Sequence, residues 1–401
     1  METPGAPRES APALQVRALA GLKEIGAEAW DACATSAETL RGGDETHNPF
    51  VSHAFLSALE DSGCVSRKTG WLPLHISLER DGDLLGVAPC YLKSHSQGEY
   101  VFDHGWADAY ERAGGAYYPK LQASVPFSPV TGPRFLIAPG ADPDVATAGL
   151  IAGLRALRDQ AGASSIHVTF MQEAEWERAG AAGFLKRTDQ QFHWLNAGYA
   201  SFDGFLEALA SRKRKSIRRE RRDALSQGIT VERLTGSEIT EAHWDAFFAF
   251  YTDTGARKWG RPYLNRRFFS LLSERMAERV LLIMARRGGR YIAGAINLVG
   301  DVALYGRNWG CIEDHPFLHF EVCYYQAIDF AIARGLKRVE AGAQGEHKLA
   351  RGYRPVLMRS AHDIADPGLR KAVADYLRRE RAHVNALVGE FDSLTPFKRE
   401  T

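Results

Sequence analysis

The densest group of chemically useful side chains lies in the last third of the chain. Glu346, His347, Lys348 and Arg351 fall within a six-residue stretch framed by Gly342, Gly345 and Gly352. Glycines permit tight turns and a close backbone approach to a ligand. Lys348 and Arg351 suit either a phosphate clamp or the developing oxyanion of a tetrahedral intermediate. Gln344, Gly345, Glu346, His347 and Gly352 complete this candidate ligand loop. The plainer reading is a solvated loop with an ordinary Glu346–Lys348 or Glu346–Arg351 pair.

A helix is expected from Phe317 to Arg334, opened by Pro316 and capped by Gly335. Its free N-terminal amides and dipole make an anion site. Its first turns hold His319 and Glu321, and Tyr324 and Tyr325 lie three and four residues past Glu321, close to its face. Glu321 then reads as a general base or amine anchor, with Tyr324 or Tyr325 as proton donor. Alternatively Glu321 is a buried acid satisfied by Arg307 and tyrosine hydroxyls, and His319 a satisfied edge histidine. A zinc site from His319, Glu321, Glu346 and His347 lacks any recognisable ligand spacing, so no metal is expected.

A basic run, Arg212 to Arg222, falls on a helix expected from about Ser201 to Gly228. Its inward stripe reads Leu206, Ala210, Lys213, Ile217, Arg221 and Ala224. Lys213 and Arg221 therefore fall on the face a merely solvated helix would keep apolar. A cleft for a polyanion explains that, with Arg212, Lys213, Arg218, Arg221 and Arg307 as phosphate-binding candidates. A basic helix docked on an acidic neighbour is the alternative. Arg257, Lys258, Trp259 and Tyr263 would extend the groove.

In the first half, Asp103, Trp106, Asp108 and Tyr110 precede Tyr117, Tyr118 and Lys120, and the stretch Phe127 to Arg134 follows. Loops this long usually bind something or cover a site. Lys120 and Arg134 would grip an anionic group of that ligand; otherwise the tyrosines form an aromatic minicore.

The positioning elements are clearest in the second half. Strands are expected at Val280–Arg286, Tyr291–Val299 and Val302–Trp309, joined by tight glycine turns. The helix follows, then strands Lys337–Ala343 and Val356–Ile364, then a closing helix from Asp366-Pro367 to about Leu387. A fainter copy of this order runs through Leu72–Glu79, Leu84–Lys93 and Glu99–Asp103. It continues with helices at Asp144–Gln160 and Glu173–Ala182 and strands at Ser165–Phe170 and Phe184–Leu195. That order makes a mixed α/β (α+β) layout, divided into 13–196 and 197–401 after a disordered leader at 1–12. With 401 residues, 45% hydrophobic and 25% charged, two ordinary globular units are expected. The net charge of +1 gives no global pull on nucleic acid or membrane. Five cysteines without a CxxC pair argue against a disulfide scaffold or zinc ribbon. No run of about 18 apolar residues and no signal-peptide core is visible, so no membrane span and a cytoplasmic location are expected.

Tyr305-Gly306-Arg307-Asn308-Trp309-Gly310, Leu318-His319-Phe320-Glu321 with Tyr324-Tyr325-Gln326, and the 342–355 loop together resemble the FemAB-like predicted N-acyltransferases. Asn48-Pro49-Phe50, Trp106 to Tyr110, Tyr117 to Lys120 and Pro129 to Arg134 agree, so the resemblance spans about Asn48 to Val384. It implies two tandem GNAT-like (acyl-CoA N-acyltransferase) domains, each a mixed, largely antiparallel sheet flanked by helices. Fem-type relatives move amino acids from aminoacyl-tRNA to a peptidoglycan precursor. Lys348 matches a loop lysine serving their transfer centre. The resemblance implies an acyl or aminoacyl transfer to an amine, from acyl-CoA or aminoacyl-tRNA as co-substrate, with no tightly bound cofactor. The C-terminal half would be catalytic, with Glu321, Tyr324, Tyr325, Lys348 and His319 at its centre. The N-terminal half would bind the acceptor, a small molecule or cell-wall precursor, through Asp103, Trp106, Tyr110, Tyr117, Tyr118, Lys120 and Arg134. Neither half shows the RxxGxG/A phosphate loop usual for acetyl-CoA. A binding protein of the same fold, recognising a peptidoglycan precursor or nucleic acid without chemistry, is the alternative.

Overall fold

The computed structural model describes residues 14–41, 43, 45–258, 262–342 and 345–398. The leader, Trp259 and Gln344 lie outside the described residues, as does the side chain of Lys258. Strand β1 is Leu14–Leu19; helices α1 (Ala27–Ala34) and α2 (His53–Asp61) follow. Then come β2 (Trp71–Pro73), β3 (His75–Arg80), β4 (Asp83–Ala88) and β5 (Cys90–Lys93). Next are α3 (His104–Arg112), β6 (Lys120–Ala123), β7 (Leu136–Ile137) and α4 (Pro143–Gln160). Elements β8 (Ser165–Val168), α5 (Glu173–Ala181) and β9 (Leu185–Leu195) lead to α6 (Phe202–Ala208) and α7 (Ser211–Ala224). After β10 (Ile229–Thr235) come α8 (Glu241–Lys258) and α9 (Arg266–Met276). The meander is β11 (Val280–Arg287), β12 (Arg290–Val299) and β13 (Ala303–Cys311). A helical segment then runs through α10 (Leu318–Phe320), a π turn (Glu321–Tyr325) and α11 (Gln326–Ala333). The chain ends with β14 (Arg338–Glu340), β15 (Tyr353–Ile364) and α12 (Pro367–Ser393).

One large sheet has the order β10-β11-β12-β13-β14-β9-β15-β8-β6-β5-β2, and a smaller one β1-β3-β4-β7. The fold is mixed α/β and mostly antiparallel, as expected; β13–β14 and β6–β8 are the parallel pairs between named strands. The two halves exchange strands: β9, from the first, lies between β14 and β15, from the second. They also share apolar packing, for Phe55 of α2 meets Phe268 of α9 edge-on at 5.8 Å. Both rings belong to one buried cluster that includes Trp30, Phe50, Trp244 and Leu298.

Three expectations are corrected. Residues 99–103 form no strand, because Glu99 and Asp103 turn inward to buried lysines. The first meander is split, since each of its long strands breaks, at Leu74 and at Pro89, and continues in the other sheet. The helix expected from Ser201 to Gly228 is two, broken where the Ala210 amide donates to Pro396 O at 2.9 Å.

Candidate functional site

Strands β13 and β14 run parallel but pair only over Ala303–Tyr305 and Arg338–Glu340, while β13 continues to Cys311. Beyond Tyr305 no strand among the described residues pairs with that edge of β13. Unpaired backbone groups at the carboxyl ends of parallel strands are a common ligand position. Residues 345–352 and the helical segment after β13 meet through Tyr324 and His347.

Lys348 sits in a 3-10 turn, Glu346–Arg351, held between Gly345 (φ 115) and left-handed Gly352 (φ 88). Both values favour glycine. The Lys348 side chain is 1% exposed, and its Nζ donates to Gly342 O at 2.8 Å. Among the described residues no carboxylate lies within 4 Å of it. Burial pushes the ammonium down to about 8, against a smaller opposing pull from Cys323.

Beside it, Tyr324 Oη and His347 Nε2 are 2.9 Å apart. Burial raises the Tyr324 phenol and lowers the His347 imidazole. His319 packs edge-on against Trp309 at 5.2 Å and Tyr324 at 5.4 Å. Trp309 and His319 also line a cleft of about 320 Å3 with Thr254, Arg257 and Glu313. Among the described residues the buried Tyr353 hydroxyl has no hydrogen-bond partner, and its ring lies 5.6 Å from that of Tyr324.

Behind this group stands an ionic lock. Glu321 is 0% exposed and takes two hydrogen bonds from Arg221, at 3.1 and 3.0 Å. Gln326 Nε2 donates to the same carboxylate at 2.8 Å. The Arg221 guanidinium also covers the Phe202 ring at 4.3 Å. Tyr325 donates to Glu220, which also receives Arg351 Nη2 at 2.9 Å. Arg351 in turn lies 3.4 Å over Phe320 and donates to His347 O. The π turn supplies an extra residue here, so Glu321, Tyr324 and Tyr325 each reach a different partner.

Several sequence-derived roles are corrected by these contacts. Glu321 is saturated by Arg221 and Gln326, so it is not a free base, and its partner is Arg221 rather than Arg307. Tyr325 and Arg351 are consumed by Glu220. Arg221 does point inward, but to a protein carboxylate. Arg307 donates to Phe127 O at 2.6 Å, bridging the halves instead of facing a donor. Arg212 and Arg218 are exposed and Lys213 half-exposed; Arg218 pairs with Asp203. Glu346 is exposed. Arg257 donates to Cys311 O, and Tyr263 stacks on Phe127 at 5.0 Å.

The first-half candidates come together, but facing inward. Lys120 donates to Asp103 at 2.6 Å and to Ser96 at 2.7 Å, and Tyr117 donates to Asp103 at 2.7 Å. Tyr118 donates to Ser96. Burial opposes ionisation of Asp103, yet Lys120 outweighs it and holds the carboxyl below its usual range. Trp106 packs with Leu369, Val373 and Leu377 of α12, and Tyr110 lies against them. Arg134, 0% exposed, donates to Thr169 O, Pro133 O and Val130 O. Lys120 and Arg134 are thus structural cations and not an anion grip.

Sequence reasoning missed Glu220, the one acid in the basic run, which shares its buried face with Ile217 and Ala224. It also missed His193 and Glu340, polar residues at buried positions of β9 and β14.

Among the described residues, no helix is long and apolar enough to cross a membrane, and no group of three His, Cys, Asp or Glu could hold a metal. Among curated proteins none matches the chain. Solved structures do. One is the crystal structure of FemX, 14% identical, covering 87% of this chain and 98% of that one, with a TM-score of 0.52. A conserved protein of unknown function from Bacteroides thetaiotaomicron VPI-5482 is 10% identical, covering 88% and 100%, at 0.50. A tandem GNAT protein from the clavulanic acid biosynthesis pathway is 12% identical, covering 88% and 99%, at 0.47. At these identities the likeness to FemX and the Bacteroides protein is one of fold alone. The FemAB-like family, described as peptidoglycan biosynthesis/recognition, matches over residues 21–399, and the chain belongs to it.

Proposed function

We propose that this chain is an N-acyltransferase of the cytoplasm, moving an acyl or aminoacyl group from an activated donor to an amine. The family's description favours a cell-wall precursor as acceptor. The supporting observation is Lys348, a buried ammonium without a carboxylate partner among the described residues, bonded to Gly342 O just past β14. A desolvated cation of this kind stabilises an oxyanion far better than a solvated one. The acceptor amine attacks the donor carbonyl, Lys348 faces the developing oxygen charge, and Tyr324 with His347 passes a proton to the leaving oxygen or sulfur. No covalent enzyme intermediate is needed.

In this reading residues 197–401 supply the chemistry, and loops of residues 13–196 meet the acceptor. Donor phosphates lie along the exposed side of α7, where Arg212, Lys215, Arg219 and Arg222 are free of the ionic lock. The donor is aminoacyl-tRNA or acyl-CoA. The test is transfer of a labelled acyl group, from acetyl-CoA or alanyl-tRNA, to Nα-acetyl-lysine amide. Label on the amine supports the reading; donor left intact, or lost only to water, contradicts it.

A further inference from the structure

The catalytic groups above leave one task unassigned, since Glu321 is saturated and Glu346 is exposed. The acceptor amine arrives as an ammonium and must lose a proton before it attacks.

His193 and Glu340 stand at the point where β13 and β14 part. Glu340 is the last β14 residue paired with β13, opposite Tyr305, and it faces His193 across the β14–β9 ladder. Both side chains are nine-tenths buried or more, at 5% and 4% exposure. Arg338 Nε holds Glu340 Oε1 at 2.9 Å, which fixes the carboxylate and leaves Oε2 over. Among the described residues Glu340 Oε2 and His193 Nε2 each lack a hydrogen-bond partner, and they face one another at 3.8 Å. That gap is too long for a direct hydrogen bond. Two orphaned polar atoms at one buried point are costly, and they ask for an occupant.

The pair lies on a sheet face that the first half covers. Strand pairing sets Tyr305, Glu340, His193 and Arg354 in one row across the sheet. Further along β13 and β9, Arg307 donates to Phe127 O and Gln191 to Pro129 O, so this face meets the first-half loops.

We propose that His193 and Glu340 are the proton-accepting pair for the acceptor amine, an inference that rests on the acyl-transfer reading above. The amine enters between Nε2 and Oε2 and gives one proton to Nε2, while Glu340 stabilises the imidazolium. Its lone pair forms the C–N bond, and the donor C–O or C–S bond breaks. The second proton leaves the tetrahedral nitrogen and is matched by the one the leaving atom receives through Tyr324 and His347. His193 then returns its proton to solvent. Burial first, then Arg338 and Lys348, hold the imidazole neutral against the pull of Glu340, so it starts as an acceptor.

Two nucleophiles separate this role from a structural one. Nα-acetyl-lysine amide is charged at neutral pH and needs a base; hydroxylamine is uncharged there and does not. With alanyl-tRNA and acetyl-CoA as donors, E340Q and H193N should lose about 10²- to 10⁴-fold in turnover of the lysine amide. Hydroxylamine turnover above background should stay within about threefold of wild type. Equal loss with both nucleophiles, in a variant that still melts cooperatively, overturns the assignment. So does failure of both variants to fold, which would make the pair a core element. No transfer by the wild type to either nucleophile removes the proposed function itself, and the assignment falls with it.

Discussion

Arg221 on α7 grips Glu321 in the π turn through two hydrogen bonds, at 3.1 and 3.0 Å, and so ties the basic helix to the helical segment bordering Lys348. The contact converts two residues that look reactive in sequence into a frame. Arg212, Arg218, Arg219 and Arg222 of α7 stay exposed.

Breaking that frame on one side is costly. Arg221→Met leaves Glu321 buried and charged, and urea unfolding should show a loss of about 3 kcal/mol. Arg221→Met combined with Glu321→Leu should recover most of it, because no charge is stranded. A double variant as unstable as the sum of its parts would contradict the lock.

Lys348 makes stability depend on alkaline pH. Its ammonium is held near 8 in the fold, below its ordinary value of 10.5. Between those values the unfolded chain binds more protons, so wild-type stability rises with pH relative to Lys348→Met. The gain should be on the order of 3 kcal/mol, read by urea unfolding from pH 7 to 10.5. Below pH 8 the difference should be flat. Transfer, which needs the charged form, should fall as pH rises through about 8.

In the first half, Lys120→Met strands Asp103, which has Tyr117 as its other hydrogen-bond donor. A loss of about 3–5 kcal/mol is expected. The Asp103 carboxyl is held low in the fold, so its contribution is present above the unfolded value of about 3.9 and fades as pH falls below it. The variant should lack that acid-side slope in thermal melts. Unchanged stability would return Lys120 to the anion-gripping role expected from sequence.

What the sequence made legible follows local rules. The β11–β13 meander was readable because its turns, Gly288-Gly289 and Gly300-Asp301, hold glycine and β11 and β12 are largely aliphatic. Gly345 and Gly352 marked the Lys348 loop correctly, since both need positive φ. The strand exchange of β9 with β15 was not readable, because it depends on pairing over more than 150 residues and no local pattern encodes it. The partner of Arg221 was equally hidden: helical spacing says which way a side chain points, not that Glu321 waits there. His193 and Glu340 were lost for the same reason, as their pairing exists only across β9 and β14.

The outward face of α7 should act through charge alone. Arg212→Glu with Lys215→Glu changes two exposed positions, so melting should shift by no more than about 0.5 kcal/mol. Binding of alanyl-tRNA should weaken, with the log–log salt slope reduced by about 1 for each phosphate no longer neutralised. An unchanged slope would place the donor elsewhere.

The most direct test is steady-state transfer to Nα-acetyl-lysine amide by the wild type and by Lys348→Met, at pH 7 and with folding verified by melting. Loss of a buried cation facing the oxyanion should lower turnover by about 10²- to 10³-fold, with the variant as cooperatively folded as the parent. Turnover within about threefold of wild type would contradict the role given to Lys348, and with it this account of the site.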